Sequence, residues 1–278
     1  MLFQTIETRS DSGVADDHTH RRLQAFLGDG VHRNAPPLGY QPVIALQSGQ
    51  VAGLQAVQRR TSVATFHRGD SGPGITGWTL AQACVEARYW PGLRCAVSIS
   101  ARLLGTGILL SRIDASLAMA GLSPSLLEIE IINIDRNGLS SQSMAVLHAI
   151  RQRGIGIVLG NFGAGGAGPR LLSQMPLTGI KLDRRLVHDL PHDPKACARA
   201  GALLDAGRAA ALVSIAGGIE TLAQRDFLSR HGCDYAVGPL YSRPIAPERL
   251  ATLLDYGVDT CSLKRSGSET RDERAVPH

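Results

Sequence analysis

Aromatic residues are scarce in this chain, at 4% of 278, and lysine is scarcer still: the 29 basic residues include only Lys181, Lys195 and Lys264. So few aromatics, nowhere interleaved with basic residues, argue against a stacking platform for single-stranded nucleic acid. No Lys or Arg block exceeds two adjacent residues, so the net charge of +5 reads as arginine usage rather than as a stripe for nucleic acid. Neither a helix-turn-helix pattern nor a zinc spacing is visible, and direct DNA binding is not expected despite a pI near 9.2. The five cysteines, Cys84, Cys95, Cys197, Cys233 and Cys261, are odd in number and include no Cys-x-x-Cys pair. That argues against a disulfide framework and a thiolate zinc site, and a reducing cytoplasm fits best. No stretch approaches the roughly 18 apolar residues of a membrane helix, and the amino terminus lacks a basic region followed by an apolar run. The expectation is a soluble, cytoplasmic protein with no membrane contact.

What is present is a globular balance, 44% hydrophobic and 19% charged, at a length that suits one α/β barrel or two ordinary domains. Residues 1–34 and 259–278 are polar and read as poorly ordered ends, leaving 35–258 as the folded domain. Asp16, Asp17, His18 and His20 resemble a metal cluster in composition, but an end segment lacks the surrounding shell that fixes ligands, so no metal is assigned there.

Between the ends, short apolar runs alternate with helical spacing. Strands are expected near 41–46, 51–57, 94–99, 126–131, 155–159, 178–182, 212–216 and 234–237. Helices are expected over Trp78–Trp90, Ile108–Ala120, Ser140–Arg153, Lys195–Ala206, Glu220–Arg230 and Pro247–Tyr256. Runs such as Ile155-Gly156-Ile157-Val158-Leu159 are apolar throughout, as parallel strands covered on both faces require. The pattern implies a (β/α)8, TIM-like barrel, with a doubly wound open sheet as the alternative. The first two strands are separated only by Gln47-Ser48-Gly49-Gln50, too short for a parallel crossover, so they must be antiparallel.

One motif competes. Gly163-Ala164-Gly165-Gly166-Ala167-Gly168 satisfies the Gly-x-Gly-x-x-Gly pattern of a dinucleotide-binding turn after a strand. Its first glycine comes four residues after the expected strand, and only about two turns of helix fit before Met175, where a Rossmann unit needs a longer one. No cofactor is assigned on it.

A different likeness covers residues 39–256. Gly39-Tyr40-Gln41-Pro42-Val43-Ile44, a short turn, and Gly53-Leu54-Gln55-Ala56-Val57-Gln58-Arg59 open it. Val97-Ser98-Ile99-Ser100-Ala101, Leu127-Glu128-Ile129-Glu130-Ile131, Gly179-Ile180-Lys181-Leu182-Asp183-Arg184 and Ala216-Gly217-Gly218-Ile219-Glu220-Thr221 follow, and Gly238-Pro239-Leu240-Tyr241-Ser242-Arg243-Pro244 closes it. In order and spacing these blocks resemble the EAL domains of bacterial cyclic-di-GMP (c-di-GMP) phosphodiesterases. In that reading Gly160-Asn161-Phe162-Gly163-Ala164-Gly165 stands for the family's Asp-Asp-Phe-Gly-x-Gly. The resemblance implies a barrel with its first strand reversed and hydrolysis by two divalent cations.

The implied metal ligands are where this chain departs. At the positions matching them stand Gln55, Ser98, Glu130, Gly160 and Asn161, and Gly217 and Asn133 replace two further acids. A lone carboxylate facing two divalent ions would leave about three positive charges uncompensated. The expectation is therefore no enzyme, no catalytic residue, no metal and no cofactor. Gln41, Arg59, Glu130, Lys181, Asp183 and Glu220 are the remnant ligand-binding residues, of which Arg59 and Lys181 suit phosphate. The competing reading pairs those cations with neighbouring acids such as Glu130 and Glu220. No receiver, GGDEF or sensor segment is expected beside this domain, and the resemblance is then to small stand-alone members of the family that have lost these ligands. The function implied is repression of virulence-type gene expression through a regulatory protein partner. A non-hydrolysing c-di-GMP receptor is the alternative.

Overall fold

The computed structural model describes residues 37–58, 73–135, 138–164 and 170–256. The expected ends at 1–34 and 259–278, the His18 and His20 cluster, Arg59 and most of the glycine-rich motif lie outside them. Eight strands form one closed barrel in chain order: β1 (Leu38–Ala45), β2 (Val51–Gln58), β3 (Arg94–Ser100), β4 (Leu127–Ile132), β5 (Gly156–Phe162), β6 (Gly179–Leu182), β7 (Val213–Gly217) and β8 (Tyr235–Val237). All eight expected strands are present, and closure removes the open-sheet alternative. β1 runs antiparallel to both β2 and β8, while every other neighbouring pair is parallel, so the hairpin argument holds and only the first strand is reversed.

The helices are α1 (Pro73–Ala87), α2 (Leu109–Ala120), α3 (Ser141–Gln152), α4 (Arg170–Gln174), α5 (Arg184–His188), α6 (Pro194–Ala209), α7 (Leu222–Arg230) and α8 (Pro247–Tyr256). Local chemistry sets their ends. Asp193 caps α6 through the Lys195 amide with Pro194 in the first turn, and Thr221 and Gln224 form a reciprocal capping box on α7. Gly121, at φ 60°, ends α2 in the left-handed conformation. α1 begins five residues before the expected start, because proline suits a first helical turn. It ends before Trp90, whose amide returns to the Ala87 carbonyl.

Alternation along the strands divides the apolar residues into two sets. Val97, Ile99, Ile129, Ile131, Ile157, Leu159, Ile180 and Leu182 are fully buried in the main core. Val158, Ile215 and Val237, with Val43 and Tyr235 against them, form a second, smaller cluster that fills part of the barrel interior. No helix among the described residues is long and apolar enough to cross a membrane, and the four described cysteines are free thiols.

One buried acid ties α1 to the barrel. Glu86 accepts hydrogen bonds from the Tyr40 hydroxyl and the Gln82 amide. Burial raises its pKa above 4.5, the two hydrogen bonds oppose that rise, and Glu248 adds to it. Below pH 4.5 the carboxyl is protonated in folded and unfolded chains alike. As pH rises through the folded value the unfolded chain ionises first, so stability is lost. Glu128, also raised by burial, acts in the same direction. Glu86→Gln keeps an acceptor but cannot ionise. Denaturant unfolding at pH 4.5 and pH 8 is expected to give a smaller loss of stability in Glu86→Gln than in the wild type, and equal losses would refute this role for the carboxylate.

Candidate functional site

The carboxyl ends of the parallel strands open on a cavity of about 830 Å³. Gln55 on β2, Ser98 on β3, Glu130 on β4, Asn161 on β5, Lys181 on β6 and Gly217 on β7 all line it. Gln41 joins them from an early position of β1, since reversal of that strand brings its start to the same end of the barrel. Glu220 lines the outer wall.

Glu130 is the centre of this arrangement. Its Oε2 accepts from Lys181 Nζ at 2.9 Å, Ser98 Oγ at 3.0 Å and Gln55 Nε2 at 3.1 Å, while Lys181 Nζ also donates to Gln55 Oε1 at 2.8 Å. Neither β2 nor β6 neighbours β4, so the bonds from Gln55 and Lys181 span the barrel interior, while Ser98 reaches Glu130 from the adjacent strand. The Lys181 and Glu130 side chains are only 12% and 7% exposed, and a charge-assisted bond there is far less screened than a surface pair. Glu128 lies two residues earlier on the same face of β4. Burial raises its pKa most, Arg94 lowers it, Glu130 raises it and Lys181 lowers it.

Two glycines make room for the pair. A Cβ at Gly160 would lie 2.6 Å from Glu130 Oε1 and 2.8 Å from Ile132 Cγ2, and one at Gly217 would lie 3.2 Å from Lys181 Cε. Gly160 and Asn161 fall where the pairing of β5 with β6 shifts register, in a bulge that presents Asn161 at φ 52° toward the mouth. Asn133 adopts φ 57° on the facing loop and also lines the cavity; asparagine tolerates this conformation better than most residues.

The remaining remnant residues have other work. Gln41 Nε2 donates to the Ser242 carbonyl at 2.9 Å. Asp183 does not line the cavity: it is buried, and its Oδ1 caps α5 through the Arg185 amide at 2.9 Å and accepts from Arg185 Nε at 3.0 Å. Arg184, Arg185 and His188 line the wall of the cavity and are candidate site residues that the sequence reading did not single out. Their helix, α5, is only five residues long and gives no periodicity, and its one advance signal is the Asp cap.

At the positions matched to the family's metal ligands the donor set is one carboxylate, Glu130, already holding an ammonium, with neutral oxygens on Gln55, Ser98 and Asn161. Two hard divalent cations require several anionic oxygens, and the residues present do not fit them. Among the described residues no group of three or more His, Cys, Asp or Glu side chains is placed to hold a metal ion.

Comparison with known proteins agrees with this architecture. The EAL domain model matches residues 24–244. The chain is 29% identical over 244 residues to the signaling protein YkoW of Bacillus subtilis, covering 81% of this chain and 30% of that protein. It is 28% identical over 243 residues to the bifunctional diguanylate cyclase/cyclic di-GMP phosphodiesterase MucR of Pseudomonas aeruginosa, covering 81% and 35%. The chain thus spans about a third of the length of these curated relatives. The solved PaMucR phosphodiesterase, in complex with c-di-GMP, superimposes with a TM-score of 0.70 at 28% identity, over 82% of this chain and 99% of that one. On the barrel with its reversed first strand and the match over most of its length, this chain belongs to the EAL domain family.

Proposed function

We propose that this EAL-domain chain does not hydrolyse c-di-GMP and acts as a regulatory protein, repressing virulence-type gene expression through contact with a protein partner. The observation that carries the reading is the state of Glu130: the one carboxylate at the position of a metal ligand is consumed by Lys181, Ser98 and Gln55. A barrel that keeps its fold while Gln55, Gly160, Asn161 and Gly217 stand where the family resemblance implies acids, and Ser98 where it implies an asparagine, retains a surface for recognition and no means of generating hydroxide. With Mg²⁺ or Mn²⁺ supplied, c-di-GMP turnover is expected at the rate seen without protein. Affinity capture from the native cytosol is expected to recover a transcription regulator, equally with Lys181→Ala and Arg59→Ala. Metal-dependent turnover above the no-protein rate would refute the reading.

A c-di-GMP receptor is the second reading, favoured by the cavity of about 830 Å³ and by the complex of the related PaMucR phosphodiesterase with that dinucleotide. Against it, Lys181 would have to leave Glu130 to meet a phosphate. Calorimetry with c-di-GMP separates the two: a Kd below about 10 μM would put the receptor reading in place of the first.

A further inference from the structure

We infer that residues 242–246 are a strap laid across the start of β1, and that Glu86, acting through Tyr40, governs how firmly this strap is held at the cavity mouth. The segment joins β8 to α8, and its hydrogen bonds to the strands among the described residues go to two neighbours on β1. The Tyr40 amide donates to the Ile245 carbonyl at 2.7 Å, and the Ile245 amide donates back to the Tyr40 carbonyl at 3.0 Å. The Ser242 carbonyl accepts from Gln41 Nε2 at 2.9 Å, and Gln41 lines the cavity. The Tyr40–Ile245 pairing is an isolated bridge outside the eight-strand ladder, so it can open without breaking any strand pairing of the barrel.

Tyr40 works in two directions. Its backbone holds the strap, while its fully buried side chain points outward under α1, where the hydroxyl donates to Glu86 and the ring meets Trp90 edge-on at a centroid distance of 4.8 Å. Gln82 donates to the same carboxylate from one turn earlier on α1. The titratable groups around this seam are Tyr40 on β1, Cys84 on α1, Cys95 on β3 and Glu248 in the first turn of α8. Burial pushes the Cys84 thiol up to about 12 and raises Cys95 and Tyr40 as well, so these three stay neutral where a carboxylate ionises. Glu86 and Glu248 are left as a pair of like charges, and Glu248 is exposed on the helix into which the strap leads. Ionising Glu86 sets a buried charge beneath Tyr40 and against the acid on α8. Both effects favour lifting the strap and the first turn of α8, which admits water to the carboxylate. Below the ordinary carboxylate range Glu86 is neutral whether the strap is seated or lifted, and the seam stays closed. As pH rises beyond that range the lifted form ionises first, so the hold weakens until the seated carboxyl ionises too. Gln41 loses its partner when Ser242 leaves, and the wall of the cavity changes with it.

The strap is independent of what the cavity binds, and its test reads local opening in the intact chain. Backbone amide hydrogen exchange between pH 4.5 and pH 8, corrected for the intrinsic rate, is expected to show opening at Tyr40 and Ile245 that rises by up to about tenfold per pH unit and then levels off. At every pH these two amides should open at least about tenfold more often than the Ile131 amide, in the ladder between β3 and β5, because lifting a strap leaves the barrel folded. Glu86→Gln is expected to flatten the profile at Tyr40 and Ile245. Glu248→Gln, which removes the like charge from an exposed position, should reduce the total rise. Opening at Ile245 that does not change with pH in the wild type would overturn the inference, as would a Glu86→Gln profile that rises like the wild type. Opening at Ile131 equal to that at Ile245 would also overturn it, since the event would then be global unfolding. If Glu86→Gln cannot be purified folded, Glu248→Gln decides, and an undiminished rise there counts against the strap.

Discussion

Gly238→Ala is expected to be among the most damaging single substitutions in the barrel. A Cβ at 238 would lie 2.2 Å from the Ile219 amide nitrogen, 2.3 Å from the Ile219 carbonyl oxygen and 2.9 Å from the Gly218 carbonyl carbon. These are backbone atoms and cannot rotate aside as a side chain would. The same contact is stitched by hydrogen bonds: the Gly218 amide reaches the Val237 carbonyl at 2.7 Å, and the Leu240 amide reaches the Ile219 carbonyl at 3.0 Å. Ile219 itself is fully buried, so separating the two segments to admit a methyl would also pull a core residue outward. The loss should exceed about 3 kcal/mol, the upper end of ordinary overpacking, and lower Tm by about 10 °C. Gly105→Ala is the control. No atom lies within 4 Å of a Cβ there and the residue has no positive φ, so its Tm should stay close to the wild-type value. Gly238 and Gly218 also line the cavity, so a milder result at 238 would mean that the mouth is softer than its backbone contacts imply.

How much of this was legible beforehand follows from the range of each interaction. All eight strands could be read because a parallel barrel buries both faces of its strands, which leaves continuous apolar runs such as Ile155–Leu159. The reversed first strand could be read from loop length alone. Pairing of Lys181 with Glu130 was one of two partnerings that residue types allowed. What separated it from Glu220 is position on the barrel, since Glu130 points inward on β4 while Glu220 lies exposed beyond β7. The end of β5 was misplaced: a glycine and an asparagine after Leu159 look like a loop, and only the bulge carries the strand through Phe162. Asp183 stood among the candidate ligands because it falls in a block matched to the family, and the structure gives it the work of capping α5. The meaning of Gly160 was half visible. The family resemblance implied an acid at that position, and the structure adds that Glu130 occupies the space an acid would need.

That occupancy makes Gly160→Asp the most informative change at the mouth. Restoring a carboxylate at the position where the family resemblance calls for one would, in a vacant site, move the chain toward metal binding. Here the Cβ alone would fall 2.6 Å from Glu130 Oε1 and 2.8 Å from Ile132 Cγ2, so Glu130 must turn away and its bonds to Ser98, Gln55 and Lys181 must lengthen or break. The new carboxylate also adds negative charge beside Glu130, with Glu128 two residues below and Lys181 as the ammonium bonded there. Gly160→Asp is expected to destabilise the fold by about 2–4 kcal/mol in denaturant unfolding at pH 7, and to leave c-di-GMP turnover with Mn²⁺ at the no-protein rate. Gly160→Ala isolates the steric part, about 1–3 kcal/mol. The difference between the two variants is electrostatic and should shrink in a Glu130→Gln background, where one of the like charges is gone. An aspartate variant as stable as the wild type, or one that gains metal-dependent turnover, would contradict the tightness of the site around Glu130. On the expected outcome, an acid returned at 160 alone displaces Glu130 before it can add a ligand, because its Cβ and the Glu130 carboxylate occupy the same space.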